Sequence, residues 1–143
     1  MSEPGSEPSF ADREGLARLL EGPAPELDKR LGAPSVALER VFTMLGPGRL
    51  DPDRGTRPFL VQFEVRAADG VHTHPVRFAS DQTLPGEWPT SQRPALSYSV
   101  DLLDFLLMAS GRLDPHHAFM SGRLRMSGDM TLAEAVEAWL TPG

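Results

Sequence analysis

The stretch that decides the fold runs from Leu96 to Leu140: LSYSVDLLDFLLMASGRLDPHHAFMSGRLRMSGDMTLAEAVEAWL. Its centre, LLDFLLMA (Leu102 to Ala109), is apolar on almost every side. A short surface helix normally shows one apolar stripe and one polar face. At ~1.5 Å per residue the run is far too short to cross a bilayer, which needs about 20 residues. Both sides of it must therefore meet something other than water: core on two fronts, or core on one and a ligand on the other.

The signals on either side are local and physical. Asp101 is placed to cap a helix by accepting from a free amide, and Asp104 adds negative charge to its first turn. Gly111 supplies the left-handed residue that ends it. Asp114-Pro115 is a cap followed by proline at the first helical position, opening a short turn through His116, His117, Ala118, Phe119 and Met120. After Gly122 the period changes. Arg123, Arg125 and Ser127 alternate with Leu124 and Met126, the pattern of a half-buried strand. Gly128-Asp129 breaks it, Thr131 and Glu134 spell a capping box, and Leu132, Val136, Trp139 and Leu140 form the stripe of a closing helix ended by Pro142.

Taken in order, Asp101-Leu102-Leu103, Gly111, Pro115, Ala118-Phe119, Gly122-Arg123-Leu124, Gly128-Asp129 and the Leu132 helix resemble the sterol-carrier-protein-type domain, also called the nonspecific lipid-transfer domain. The close likeness covers about a third of the chain; upstream only the order of elements agrees, helix then paired strands. The family typically has lysines flanking the strand leucine where this chain has Arg123 and Arg125, a tolerable change at solvated positions. The resemblance implies an α+β sandwich that holds a lipid in an apolar cavity without covalent chemistry.

Composition narrows the alternatives. The 143 residues suit one domain with a real core. Fourteen Lys plus Arg against 20 Asp plus Glu leave a net charge of −6, whereas nucleic-acid binders carry a basic footprint. The absence of cysteine rules out a disulfide framework and a thiolate metal site. The N-terminus is acidic and polar rather than basic then apolar, so no signal peptide is expected. Thr141-Pro142-Gly143 lacks a peroxisomal address. A cytoplasmic protein is the simplest expectation.

From the N-terminus, residues 1–8 are rich in Ser, Pro, Gly and Glu, the composition of a disordered start. Residues 9–33 are expected to form an N-terminal helical extension, with Ser9 and Asp12 opening a helix whose stripe is Leu16, Leu19 and Leu20. Glu26 to Gly32 is a second short piece or a linker. The lipid-binding domain is expected over 34–143. There Leu38, Val41, Phe42 and Leu45 stand at helical spacing until Gly46-Pro47, and Gly46 to Arg57 is turn-rich loop. Phe59, Val61, Phe63 and Val65 then alternate with Leu60, Gln62, Glu64 and Arg66 as a strand. Asp69-Gly70 is a hairpin turn. The return strand, Val71 to Ala79, contains Pro75, which belongs at an edge or a bulge. Residues 81–94 form a proline-broken connection with room for a further strand, and Leu96, Tyr98 and Val100 alternate into the central helix. The sum is one mostly antiparallel sheet of about five strands, covered on one face by helices.

Candidate site residues follow from the same patterns. Met108, Met120, Met126 and Met130 fall within 23 residues, and flexible, polarisable methionine suits a cavity that accepts guests of varied shape as well as it fills a core. Phe119-Met120 is the expected first wall, with Phe42, Phe63, Phe105, Leu106, Met108, Met126 and Met130 as others. Leu132, Val136 and Trp139 would form a mobile cover. Each buried methylene contributes ~0.8 kcal/mol, so a sixteen-carbon chain offers roughly 10 kcal/mol before ordering costs. His72 and His74 point to one side of a strand, ~6.6 Å apart along the chain, but no third ligand is evident, so no metal and no other cofactor is expected. Ser121 does not form G-x-S-x-G, and there is no phosphate loop or dinucleotide fingerprint. Arg112, Arg123 and Arg125 suit a solvated face, with at most transient contact to an anionic membrane.

The expectation is therefore a non-catalytic carrier or presenter of a fatty acyl chain, sterol or similar lipid. The alternatives are an enzyme or enzyme subunit acting on a hydrophobic metabolite, using groups such as His72, His74 or Tyr98, and an interaction module with an apolar groove.

Overall fold

The structure, a computed structural model, describes residues 12–21, 33–50, 57–80 and 93–141. Its strands are β1 (Gly48–Arg49), β2 (Phe59–Ala67), β3 (Gly70–Ala79), β4 (Leu96–Asp101) and β5 (Leu124–Gly128). Its helices are α1 (Arg13–Leu19), α2 (Pro34–Leu45), α3 (Leu102–Ser110), α4 (Pro115–Met120) and α5 (Ala133–Leu140), the last preceded by a 3₁₀ turn at Met130–Leu132. This is the α+β class expected.

The five strands make one sheet in the order β1-β3-β2-β4-β5. The sheet is mixed, which corrects the expectation of a mostly antiparallel one. β2 pairs antiparallel with β3, and β4 with β5, but β1 runs parallel to β3 and β4 parallel to β2. Alternation fixes which side chains face inward and is silent on strand direction. The clue lay in connection length: a parallel neighbour needs a crossover of about a dozen residues or more, and the chain between β3 and β4 is long enough. β1 lies in the turn-rich stretch expected to be loop. The possible strand in 81–94 falls largely outside the described residues.

Alternation does predict the inner face. Phe59, Val61, Phe63 and Val65 of β2, Val76 and Phe78 of β3, and Leu96, Tyr98 and Val100 of β4 are all buried. Leu60, Gln62 and Glu64 are only half-buried on the opposite face, and Arg66 is exposed there. Pro75 stands opposite Gln62, and β1 reaches only Phe78 and Ala79, so the proline's other side is a sheet edge, as its missing amide requires. The hairpin closes with Ala67 opposite Gly70, one residue earlier than the Asp69-Gly70 turn expected. Gly128 ends β5 at φ 113°, and a side chain there would collide with the Ala95 carbonyl.

The run LLDFLLMA has core on two fronts. α3 buries Phe105, Leu106, Met108 and Ala109, packing on β2, β4 and α2 and, on its outer side, on α1. Gly111 ends it in the left-handed conformation at φ 88°. Leu16 of α1 is fully buried, so the N-terminal helix shares the core. Asp12 caps α1 by accepting from the Gly15 amide at 2.7 Å. Arg13 reaches across the fold: its guanidinium donates to the Ala109 carbonyl at 2.7 Å and the Trp139 carbonyl at 2.9 Å, and also to that of Leu140. One cation thus satisfies carbonyls at the C-terminal ends of both α3 and α5.

Two expected caps form differently. Asp101 precedes α3 without a side-chain bond to the helix; its carboxylate instead accepts from Arg66 Nε at 2.8 Å on the solvent face of the sheet. At the closing helix the turn begins two residues early. Asp129 accepts from the Thr131 amide at 3.1 Å, the Thr131 hydroxyl donates to the same carboxylate, and α5 continues from the 3₁₀ turn with Leu132 as its uncapped N-cap residue. Asp114 caps α4 as expected, accepting from the His117 amide at 3.2 Å.

Candidate functional site

Helix α5 lies over the inner face of the sheet and buries Ala133, Val136 and Leu140. Its other flank is lined with small residues, and there a cavity of about 490 Å³ opens between α5 and the α2–β1 turn. Leu45, Pro47 and Leu50 form one wall; Leu132, Ala135 and Trp139 form the other. Arg49, Thr131 and Glu134 stand at its polar margin. The volume falls in the range of small-molecule sites, roughly 300–1,000 Å³.

Trp139 joins this cavity to the core. Its indole N–H donates to the Gly46 carbonyl at 3.1 Å, tying α5 to the end of α2. Its ring lies 5.7 Å from Phe63, 6.4 Å from Phe42 and 5.3 Å edge-on from Phe78. Phe42 in turn meets Phe105 at 5.3 Å and Phe63 at 5.6 Å. Phe63 stacks on Tyr98 at 5.1 Å, its register partner on β4. A continuous layer of rings therefore runs from the cavity wall to the middle of the sheet.

Two smaller depressions follow α2 and β3. One of about 460 Å³ is lined by Leu38, Glu39, Val71 and His72, and one of about 200 Å³ by Phe42, Gly46 and Val76. His74 borders both and stacks on Phe42 with centroids 3.8 Å apart. Burial pulls the His74 imidazole below its ordinary pKa against the opposing pull of Glu39. His72 bonds Asp69 at 2.8 Å. The two histidines share the inner face of β3, as their spacing implies, yet among the described residues no cluster of three potential metal ligands forms.

The electrostatics concentrate near α5. Burial raises the Tyr98 phenol well above its ordinary pKa, and the nearby Glu137 carboxylate adds to that. Glu137 is itself raised, chiefly by burial and then by Asp114 and Glu134, with His116 opposing. The Tyr98 hydroxyl is buried and finds no hydrogen-bond partner among the described residues.

The candidate residues divide into three groups. Phe42, Phe63, Phe105 and Trp139 come together as rings, and Leu132 and Trp139 line the large cavity. Leu106, Met108 and Val136 are buried within the core, and Met126 is half-buried opposite Tyr98. Phe119, Met120 and Met130 are 40%, 70% and 44% exposed, so the short helix α4 turns its Phe-Met pair outward and the methionines do not form one cluster. Sequence reasoning passed over Leu45, Leu50 and Ala135 in the cavity wall. Small Ala135 and Ala138 on the flank of an amphipathic helix were the available signal.

A family model described as the SCP-2 sterol transfer family matches residues 55–141, more than half of the chain. The chain belongs to that family. Its members are lipid-binding and lipid-transfer domains, so the SCP-2 match and the apolar cavity agree. Hydroxysteroid dehydrogenase-like protein 2 of Rattus norvegicus is 31% identical over 105 residues, covering 73% of this chain and 20% of the relative. The Bos taurus protein of the same name is 31% identical over 121 residues, 81% of this chain and 29% of that one. The chain thus spans less than a third of these relatives' length. Among solved structures, palmitated SCP2L2 from Aedes aegypti is 26% identical, with a TM-score of 0.46 over 70% of this chain and 86% of that chain. The MycE methyltransferase of the mycinamycin biosynthetic pathway is 16% identical, with a TM-score of 0.53 over 90% of this chain and 37% of that one. That second likeness is one of fold alone. No helix among the described residues is long and apolar enough to cross a membrane.

Proposed function

We propose that this SCP-2 domain carries or presents a fatty acyl chain, sterol or similar lipid in the cavity between α5 and the α2–β1 turn without changing it covalently. The observation that supports this best is the cavity of about 490 Å³ between α5 and the α2–β1 turn, with Leu45, Leu50, Leu132 and Trp139 as apolar walls. Burying apolar surface contributes about 25 cal/mol per Å², enough to hold a hydrocarbon without a charged anchor. The ring layer of Phe42, Phe63 and Phe105 lies behind Trp139 and extends the site when α5 lifts. The domain is expected over 34–143, with α1 clasping it, and to work in the cytoplasm with at most transient membrane contact.

The test is titration with a fluorescent fatty-acyl analogue. The native chain should bind it saturably, and Ala135→Phe, which fills the cavity from a half-buried flank, should weaken binding at least tenfold with an unchanged unfolding midpoint. Equal binding by the filled variant contradicts this placement of the site. The names of the curated relatives favour one elaboration: a lipid held here is presented to a catalytic unit. Native mass spectrometry separates the cases, since a mixture of lipids marks a carrier and one defined metabolite marks a unit that serves an enzyme.

A further inference from the structure

Tyr98 presents a contradiction that the rest of the core does not. It is the largest of the fully buried side chains, at 1% exposure, and its ring is well served by Phe63 on one side and by its register partner Met126 on the other. Its hydroxyl is not: no described residue accepts from it or donates to it. Phenylalanine would fill the same space without the penalty of a buried, unpaired O–H.

The surroundings of the hydroxyl indicate a use for it. The cavity lining stops at Trp139, and behind it the rings of Phe63 and Tyr98 stand in sequence, so a ligand that follows this layer inward when α5 lifts reaches the phenol. A charge that acts on it is the carboxylate of Glu137, carried by α5 itself. Of the groups a lipid could bring, an uncharged oxygen accepts from the phenol at no electrostatic cost. A carboxylate head would be buried facing another carboxylate.

We propose that the Tyr98 hydroxyl is the polar anchor of the lipid site, donating its hydrogen bond to an uncharged oxygen, hydroxyl or carbonyl, at the leading end of the ligand. This rests on the site proposed above and deepens it by naming a ligand class: alcohols, ketones and esters of long hydrocarbons, which enter oxygen first. A free fatty acid, by contrast, enters tail first and leaves its carboxylate at the cavity mouth, near Arg49.

The experiment is displacement of a bound fluorescent fatty-acyl analogue by 1-hexadecanol, 2-hexadecanone and hexadecane, using the full chain and Tyr98→Phe. The native chain should prefer the alcohol and the ketone to the hydrocarbon by about tenfold, the worth of one buried hydrogen bond. In Tyr98→Phe that ratio should fall to about one, with hexadecane affinity unchanged and the unfolding midpoint no lower than that of the native chain. Equal displacement by all three compounds in the native chain overturns the anchor while leaving the cavity in place. A preference that survives Tyr98→Phe likewise overturns it. If none of the three displaces the probe, the proposed site fails together with the anchor.

Discussion

Helices α3 and α5 both finish beneath the guanidinium of Arg13, and they put their apolar residues to opposite ends. α3 is apolar nearly all round because it is surrounded: sheet below, α2 beside it, and α1 with its buried Leu16 above. α5 has a narrower stripe, Ala133, Val136 and Leu140, and beyond that stripe come Ala135 and Ala138, too small to fill the space next to Leu45 and Leu50. Density of apolar side chains therefore marks core in this molecule. Open space is marked by small residues on the flank of an amphipathic helix, with one large ring, Trp139, at the boundary between the two.

The contrast between the two helices is tested most severely at Phe105. Phe105→Ala in α3 should cost about 3–5 kcal/mol, because the ring is fully buried against Phe42 and Phe63 and its loss leaves a cavity. Denaturant unfolding measures this, and a cost below about 1 kcal/mol would mean that α3 is not the core helix. Arg13→Met comes next. Removing a charged donor from carbonyls of two helix ends should cost about 2 kcal/mol. The last turns of α3 and α5 should both gain amide exchange; faster exchange in only one would show that the clasp is not shared.

A smaller effect carries the contrast into pH. The Glu137 carboxyl is raised in the folded chain, first by burial and then by Asp114 and Glu134. The folded state therefore holds that proton more tightly than the unfolded one, and the group's contribution to stability falls as pH rises from about 4.3, the unfolded value, through the raised one. Glu137→Gln should match or exceed the native chain in stability at about pH 7, and the difference should vanish below about pH 4. A native chain more stable than Glu137→Gln at neutral pH would contradict an upward shift at this carboxyl. The smallest effect belongs to α4. Met120→Ser, at a 70% exposed position, should move stability by no more than about 0.5 kcal/mol.

The sequence carried much of this, in proportion to how local each feature is. The strand β2, the α2 stripe through Leu38, Val41 and Phe42, the left-handed Gly111 and the Asp114-Pro115 start all follow from nearest-neighbour chemistry and were legible. The parallel pairing of β2 with β4 was not, because inward-facing alternation looks the same in either direction. Arg13 gave no signal, since its partners at Ala109 and Trp139 are backbone carbonyls far along the chain. Asp101 looked like a cap because its position fits one, yet the cross-strand Arg66 beside it competes for the same carboxylate. Of the site, the rings were visible as residue types, whereas the cavity depends on what Ala135 fails to fill, and only the assembled fold displays that.

If the lipid lies where the small flank of α5 leaves room, Trp139 must touch it. The most direct measurement is fluorescence of Trp88→Phe, which leaves Trp139 as the single tryptophan, titrated with a fatty acid brominated along its chain. Bromine quenches at contact range, so saturable quenching that tracks binding and is lost when Ala135→Phe is added is the predicted result. Full binding of the brominated lipid with Trp139 emission undiminished would contradict it.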